Sequence, residues 1–226
     1  MITRIITEQT MVFRNRVEAG RLLAEQLADL AEPGCVVMAI PRGGVVVGAE
    51  IAAKLRCDLD VIIVRKLGAP HNPELAIGSI MEGAEKPYLN GEIIAGLGVS
   101  ADYISHETDR QRAEAERRAE LYRAGKPRSD IKGRTVFLTD DGVATGATMF
   151  SSIRGVKLAG AGKVLVALPV GPRETIDELS EEVDYLVCLS TPAFFGAVGR
   201  FYEDFSQTTD EEVVEILKRF APAMKE

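Results

Sequence analysis

Asp140 and Asp141 stand side by side at the end of a short apolar run, Val136–Thr139. Gly142-Val143-Ala144-Thr145-Gly146-Ala147-Thr148 follows at once, and then a helical stripe beginning at Met149. Two adjacent carboxylates resist burial in the middle of a sheet, because like charges repel and a desolvated anion is costly. At a strand end they can accept hydrogen bonds from the vicinal hydroxyls of a sugar. Gly142, Gly146 and Ala147 leave room for a ligand to approach the backbone, and Thr145 and Thr148 add hydroxyls. The helix after them turns its unpaired N–H groups and positive end toward an anion. A plain turn with an N-cap needs one Asp and one Gly; two acids and two threonines at this spacing suit a loop that grips a sugar and a phosphate together.

Two more loops carry cations after apolar runs. Pro41-Arg42-Gly43-Gly44 follows Val36–Ile40, and Arg65-Lys66 follows Leu59–Val64. A single cation at a strand end is usually just solvated. Three polar loops in order each follow a buried run, and strand ends are where an open parallel sheet binds ligands.

The elements that must position these loops read as alternating strands and helices. Arg16–Ala31 has apolar residues at three- and four-residue steps and predicts a helix ended by Pro33-Gly34. Val36–Ile40, Leu59–Val64, Ile77–Glu82, Val136–Thr139, Val164–Val170 and Tyr185–Leu189 read as strands. Helices are expected over Gly43–Leu55, over a stripe of Met149, Ile153, Val156 and Ala159, and near Glu174–Leu179. Thr209 and Glu212 form a capping-box pattern at the start of a C-terminal helix. The fold class is therefore α/β: a Rossmann-like, mostly parallel sheet with helices on both faces and right-handed crossovers. Residues 1–226 read as a single domain.

The stretch Glu82–Arg134 breaks the alternation. Asp102–Arg123 reads as a very polar helix with six acids and five arginines, and a thin stripe of Ile104, Ala115, Ala119 and Tyr122. Mixed signs suit a solvated or partner-packed face. An insertion of this size is either a lid over a site or a passive addition. Residues 191–226 supply a hood and the C-terminal helix, in which Phe194, Phe195, Phe201 and Tyr202 either stack on a ligand or pack against that helix. Gly96–Ala101 formally matches a dinucleotide fingerprint but follows no clear strand, so it is discounted.

Composition limits the partners. Lys+Arg is 27 and Asp+Glu is 34, a net charge of −7, which excludes the global basic field of a nucleic-acid binder. No apolar run approaches the roughly 18 residues of a membrane span, and no long apolar signal core stands at the N-terminus. Cys35, Cys57 and Cys188 are far apart, so buried reduced thiols and a cytoplasmic location are expected. The two histidines, His71 and His106, form no metal cluster with them.

On these residues the chain resembles the type I phosphoribosyltransferases. Val136–Met149 is similar to their ribosyl-phosphate motif: a buried strand, two acids, a small-residue turn, then Thr-Gly-x-Thr. Pro41–Gly44 and Arg65-Lys66 resemble their pyrophosphate-binding loops, and the polar excursion stands where the family has a flexible catalytic loop. Gly68–Glu74 and Phe195–Gly199 are similar to little-characterised bacterial phosphoribosyltransferase-domain proteins. The resemblance implies transfer of a 5-phosphoribosyl group from phosphoribosyl pyrophosphate to a nitrogen acceptor such as a nucleobase, with release of pyrophosphate. Asp140 and Asp141 would hold the ribose hydroxyls. Ala144–Thr148 would cradle the 5′-phosphate, within a binding loop that includes Gly142 and Val143. Pro41, Arg42, Gly43, Gly44, Arg65 and Lys66 would serve the pyrophosphate. A cis peptide at Pro41–Arg42, a Mg²⁺ carried mainly by the substrate rather than by a protein metal site, and a homodimer are also implied. Family enzymes for 6-oxopurines carry an acid where this chain has Ala144, which favours the adenine and orotate classes. The competing reading is a regulatory module that binds phosphoribosyl pyrophosphate or a nucleotide without turnover.

Overall fold

The computed structural model describes residues 2–220; Met1 and the end of the predicted hood segment, 221–226, lie outside them. In chain order the elements are β1 (Ile2–Thr7), α1 (Arg16–Gln26), β2 (Val36–Ala39), α2 (Gly43–Leu55), β3 (Asp58–Val61), β4 (Val64–Ala69), β5 (Asn72–Met81), β6 (Tyr88–Leu89), α3 (Gly91–Leu97) and α4 (Ala101–Arg123). They continue with β7 (Thr135–Thr139), α5 (Ala147–Leu158), β8 (Lys163–Val170), α6 (Arg173–Glu181), β9 (Tyr185–Ser190) and α7 (Asp210–Arg219).

Six strands form a parallel sheet in the order β1-β9-β8-β7-β2-β3. The central strands are buried almost along their whole length, with Lys163 at the start of β8 exposed, because both faces are covered. Alternation sends successive side chains to opposite layers. Val37, Ala39, Phe137 and Ala167 join a core with residues of α1, α2, α4 and α7; Val36, Met38, Val136, Leu138 and Val166 join one with residues of α5 and α6. After β2 the chain steps to β3 on one side; after β7 it steps to β8 on the other. Strands β2 and β7 are neighbours, paired from Val36↔Val136 to Ala39↔Thr139. Their carboxyl ends therefore flank the point where strand order reverses, the place where an open sheet leaves a crevice.

Several boundaries differ from the sequence reading. The apolar run Leu59–Val64 is two strands. Strand β3 ends at Val61, and the chain crosses through buried Ile62 and Ile63 into an antiparallel sheet, β4-β5-β6, so the run stays apolar across the junction. The strand expected at Ile77–Glu82 is the second half of β5 and belongs to this small sheet. Helix α1 stops at Gln26, five residues short of Ala31; Leu27 is buried in the turn that follows, which keeps the helical spacing without the helix. Strand β1 escaped detection because an edge strand is half exposed and does not alternate cleanly. The capping box of α7 forms as expected, with Thr209 and Glu212 exchanging hydrogen bonds.

A disulfide joins Cys35 to Cys57, correcting the expectation of reduced thiols. The reason lies in the sheet register. Val36 pairs with Asp58, so the residues just before them lie side by side, with Cα atoms 5.0 Å apart despite 22 residues of separation. The expectation of a cytoplasmic location loses its support from these two residues. Cys188 is free and buried, and burial pushes its thiol up to about 12. No described helix is long and apolar enough to cross a membrane.

The excursion 82–134 is tied to the sheet. Arg123, at the end of α4, is buried between Asp60 of β3 (2.8 Å) and Glu82 (2.7 Å), and Asp60 also accepts the Ser129 N–H at 2.8 Å.

Candidate active site

Two helices begin at the reversal point, and neither has a side-chain cap. Helix α2 starts after Arg42, and α5 starts after Gly146, which adopts a left-handed φ of +70°. Neither first turn holds an acid. By contrast Asn15, Asn90, Ser100 and Thr209 cap α1, α3, α4 and α7. Two open, positively polarised helix ends beside each other favour a multiply charged anion between them.

The loops are packed too closely for side chains at the glycines. A Cβ on Gly44 would stand 2.8 Å from the Asp140 Cα, and one on Gly43 would overlap Asp141 Oδ2. The Pro41–Arg42 peptide is cis, as expected. Asp140 Oδ1 accepts the Asp141 N–H at 2.8 Å. Burial, and then the charge of Asp141, hold the Asp140 carboxyl well above the usual carboxylate range. Asp141 is paired instead: Arg16 Nε reaches its Oδ2 at 2.7 Å. The same guanidinium donates to the Ser206 carbonyl and lies 4.0 Å from the centre of the Phe205 ring. Tyr202 donates its hydroxyl to the Asp141 carbonyl at 2.6 Å, and burial raises its phenol pKa.

Three adjoining clefts surround this centre. One of about 400 Å³ holds Asp140, Asp141, Arg16, Arg42 and Thr208. A second, about 580 Å³, shares Pro41 and Arg42 with it and adds Arg65, Arg117, Arg118 and Tyr122. A third, about 710 Å³, shares Val64 and Thr148 with the second and adds Lys66, Thr145, Tyr88 and Arg154. Most of the sequence-predicted site residues thus converge, but Arg65 and Lys66 part company. They alternate across β4, so Arg65 faces the second cleft and Lys66 the third. Arg65 donates to Gln111 at 3.1 Å and Lys66 pairs with Glu74 at 2.7 Å. Within the loop, Thr145, Ala147 and Thr148 line the third cleft, whereas Gly142 and Val143 are buried against Val170 and line none of the three.

Of the hood aromatics, Phe201 and Tyr202 are buried, Phe195 stacks on Phe201 at 5.2 Å, and Tyr202 lies 5.4 Å from Phe13. Packing takes these three, whereas Phe194 is exposed, at 94%. Arg16, Arg117 and Arg118, which line the clefts, had no role in the sequence reading, nor had Gln111, which accepts from Arg65. For α4 a signal existed. Gln111, Ala115, Arg118 and Tyr122 fall at steps of four, three and four, on the face that carries the apolar stripe.

Among the described residues, no group of three or more His, Cys, Asp or Glu side chains could hold a metal. The carboxylates at the centre are Asp140 and Asp141, and Arg16 already takes one oxygen of the latter. This sparse donor set suits Mg²⁺, which keeps waters and substrate phosphate oxygens and asks the protein for one or two carboxylates.

The family model described as phosphoribosyl transferase domain matches residues 9–206. Two curated proteins of Mycobacterium tuberculosis, from strains CDC 1551 / Oshkosh and H37Rv and named provisionally as phosphoribosyl transferases, are each 43% identical over 208 residues. The match takes in 92% of this chain and 47% of theirs, so the chain spans about half the length of those relatives. The crystal structure of TT1426 from Thermus thermophilus is 44% identical, with a TM-score of 0.85, and the match covers 94% of this chain and all of that one.

Proposed function

Because the chain belongs to the phosphoribosyl transferase domain family, we propose that it transfers a 5-phosphoribosyl group from phosphoribosyl pyrophosphate to a nitrogen acceptor of the nucleobase class. The observation that carries this reading is the pair of uncapped helix ends, after Arg42 and after Gly146, flanking Asp140 and Asp141 at the sheet's reversal point.

In the transfer, the acceptor nitrogen gives its electron pair to C1′. The C1′–O bond breaks, its electron pair leaves with pyrophosphate, and a proton leaves the nitrogen. Positive charge grows on the ribose ring and negative charge on the leaving group. Asp140 and Asp141 accept the ribose hydroxyls. The N–H groups at the start of α5, with Thr145 and Thr148, take the 5′-phosphate, and Lys66 lines the same cleft. Arg42 and Arg65 face the departing pyrophosphate across the second cleft and stabilise its charge. Mg²⁺ bound with the substrate would neutralise part of that charge. Ala144 offers no proton-handling group, which supports an acceptor other than a 6-oxopurine.

Pyrophosphate release, measured with phosphoribosyl pyrophosphate and Mg²⁺ across a panel of bases, tests the proposal. Release with at least one base, abolished in Asp140→Asn/Asp141→Asn, is the expected result. Tight binding without release for every base would favour a non-catalytic binding module instead.

A further inference from the structure

Helix α4 brings two arginines to the second cleft that the transfer above leaves without a task. Arg117 and Arg118 line it beside Arg42 and Arg65, and the facing carboxylate is Asp210. Four guanidiniums, against Asp210 and the Glu114 behind Arg117 and Arg118, leave an excess of positive charge in this concave space, which concentrates anions there. Arg110 and Arg112, the other arginines in the middle of α4, pair with acids of their own helix and do not line the cleft.

The helix also sets the two arginines already assigned to the leaving group. Gln111 accepts from Arg65 Nε at 3.1 Å and is itself held by buried Glu107 at 3.0 Å. Tyr122 donates to Asp210 at 2.8 Å, and that carboxylate lies 3.6 Å from Arg42. Both α4 arginines point back to one acid, Glu114, at 2.9 and 3.0 Å. The two guanidiniums hold its carboxyl down at about 2. Glu114 thus occupies donors that an incoming phosphate could take.

We propose that Arg117 and Arg118 bind the leaving pyrophosphate, so that α4 is a fixed outer wall of the leaving-group pocket. The inference rests on the phosphoribosyl transfer proposed above. It gives the inserted segment a direct part in the reaction, one that requires no closing motion.

Titration calorimetry with inorganic pyrophosphate and Mg²⁺, and separately with ribose 5-phosphate, tests it. Arg117→Gln/Arg118→Gln is expected to weaken pyrophosphate binding roughly 10- to 100-fold, the range for lost hydrogen bonds to a charged group, and to leave ribose 5-phosphate binding unchanged. Glu114→Gln frees both arginines and is expected to tighten pyrophosphate binding by about threefold. Unchanged pyrophosphate affinity in the double variant, alongside a loss in Arg42→Gln, would overturn the role of α4 and leave the transfer reading standing. Equal losses for both ligands, or weaker binding in Glu114→Gln, would also overturn it. No pyrophosphate binding by the unaltered protein would sink the transfer reading itself.

Discussion

Arg16 Nε donates to Asp141 Oδ2 at 2.7 Å, and through that guanidinium the start of α1 holds a carboxylate at the end of β7, 125 residues further along the chain. The pair is largely withdrawn from water, with side chains 11% and 15% exposed. Arg16 also ties down the Ser206 carbonyl and stacks on Phe205, so one side chain joins the ribose-side loop to the segment before α7. Asp141 is thereby fixed in direction, and Asp140 is left as the acid without a cation.

A double-mutant cycle measures that pairing. Arg16→Gln and Asp141→Asn should each cost about 2–4 kcal/mol, somewhat below the range for a fully buried pair because some water remains. The double variant should lose clearly less than the sum of the two, since the second change removes a partner already stranded. Urea denaturation of the four proteins gives the coupling, and strict additivity would show that the contact contributes nothing.

Asp140 gives a pH-dependent prediction. Its folded pKa is raised, by burial first and the Asp141 charge second. The folded state therefore binds more protons than the unfolded state between the usual carboxylate pKa and the raised one. Stability is greatest below that interval and falls as pH climbs through it. Asp140→Asn removes this slope. Thermal denaturation at pH 4, 6 and 8 should show the variant gaining on the parent as pH rises, by about 2–4 °C per kcal/mol recovered, while ribose 5-phosphate binding is lost. A variant less stable than the parent at pH 8 would contradict the assignment.

The loops around Arg42 and Asp140 could be read from sequence because each follows a buried parallel strand, where an apolar run ends abruptly in polar and small residues. Nothing local announced Arg16; its partner comes near only when α1 packs across the sheet. The Cys35–Cys57 link was hidden for the same reason, since it depends on the β2–β3 register rather than on spacing. Leu59–Val64 misled because Ile62 and Ile63 are buried between two sheets, where an apolar run says nothing about which sheet each residue joins. Arg65 and Lys66 looked like one cationic pair until their placement on a strand sent them to different clefts.

The disulfide should contribute stability without touching the site. It joins the amino ends of β2 and β3, whereas the clefts open at the carboxyl ends. Closing a loop with 22 residues of separation restrains the unfolded chain by about 3 kcal/mol. Reduction should therefore lower Tm by roughly 6–12 °C for a chain of this size, with ribose 5-phosphate affinity unchanged below the transition. A shift in that affinity before unfolding would mean the link reaches the site.

Arg123 carries the argument that α4 is a wall rather than a lid. Its guanidinium is 6% exposed and meets two carboxylates, Asp60 at 0% and Glu82 at 4%. Arg128 stands 3.7 Å from Glu82, whereas Asp60 takes its ion pair from Arg123. Arg123→Ala leaves two buried acids facing each other and should cost about 3–5 kcal/mol, mostly the penalty of stranded charge. Replacing the whole cluster, as Asp60→Asn/Glu82→Gln/Arg123→Met, should restore much of that loss because no charge is then left unpaired. The two variants separate stability from site geometry. Both lose the ionic anchor between α4 and β3, so both should bind pyrophosphate less tightly than the parent, even where the triple variant denatures at a similar urea concentration. Parental pyrophosphate affinity in a stably folded triple variant would show that α4 holds its place without this anchor.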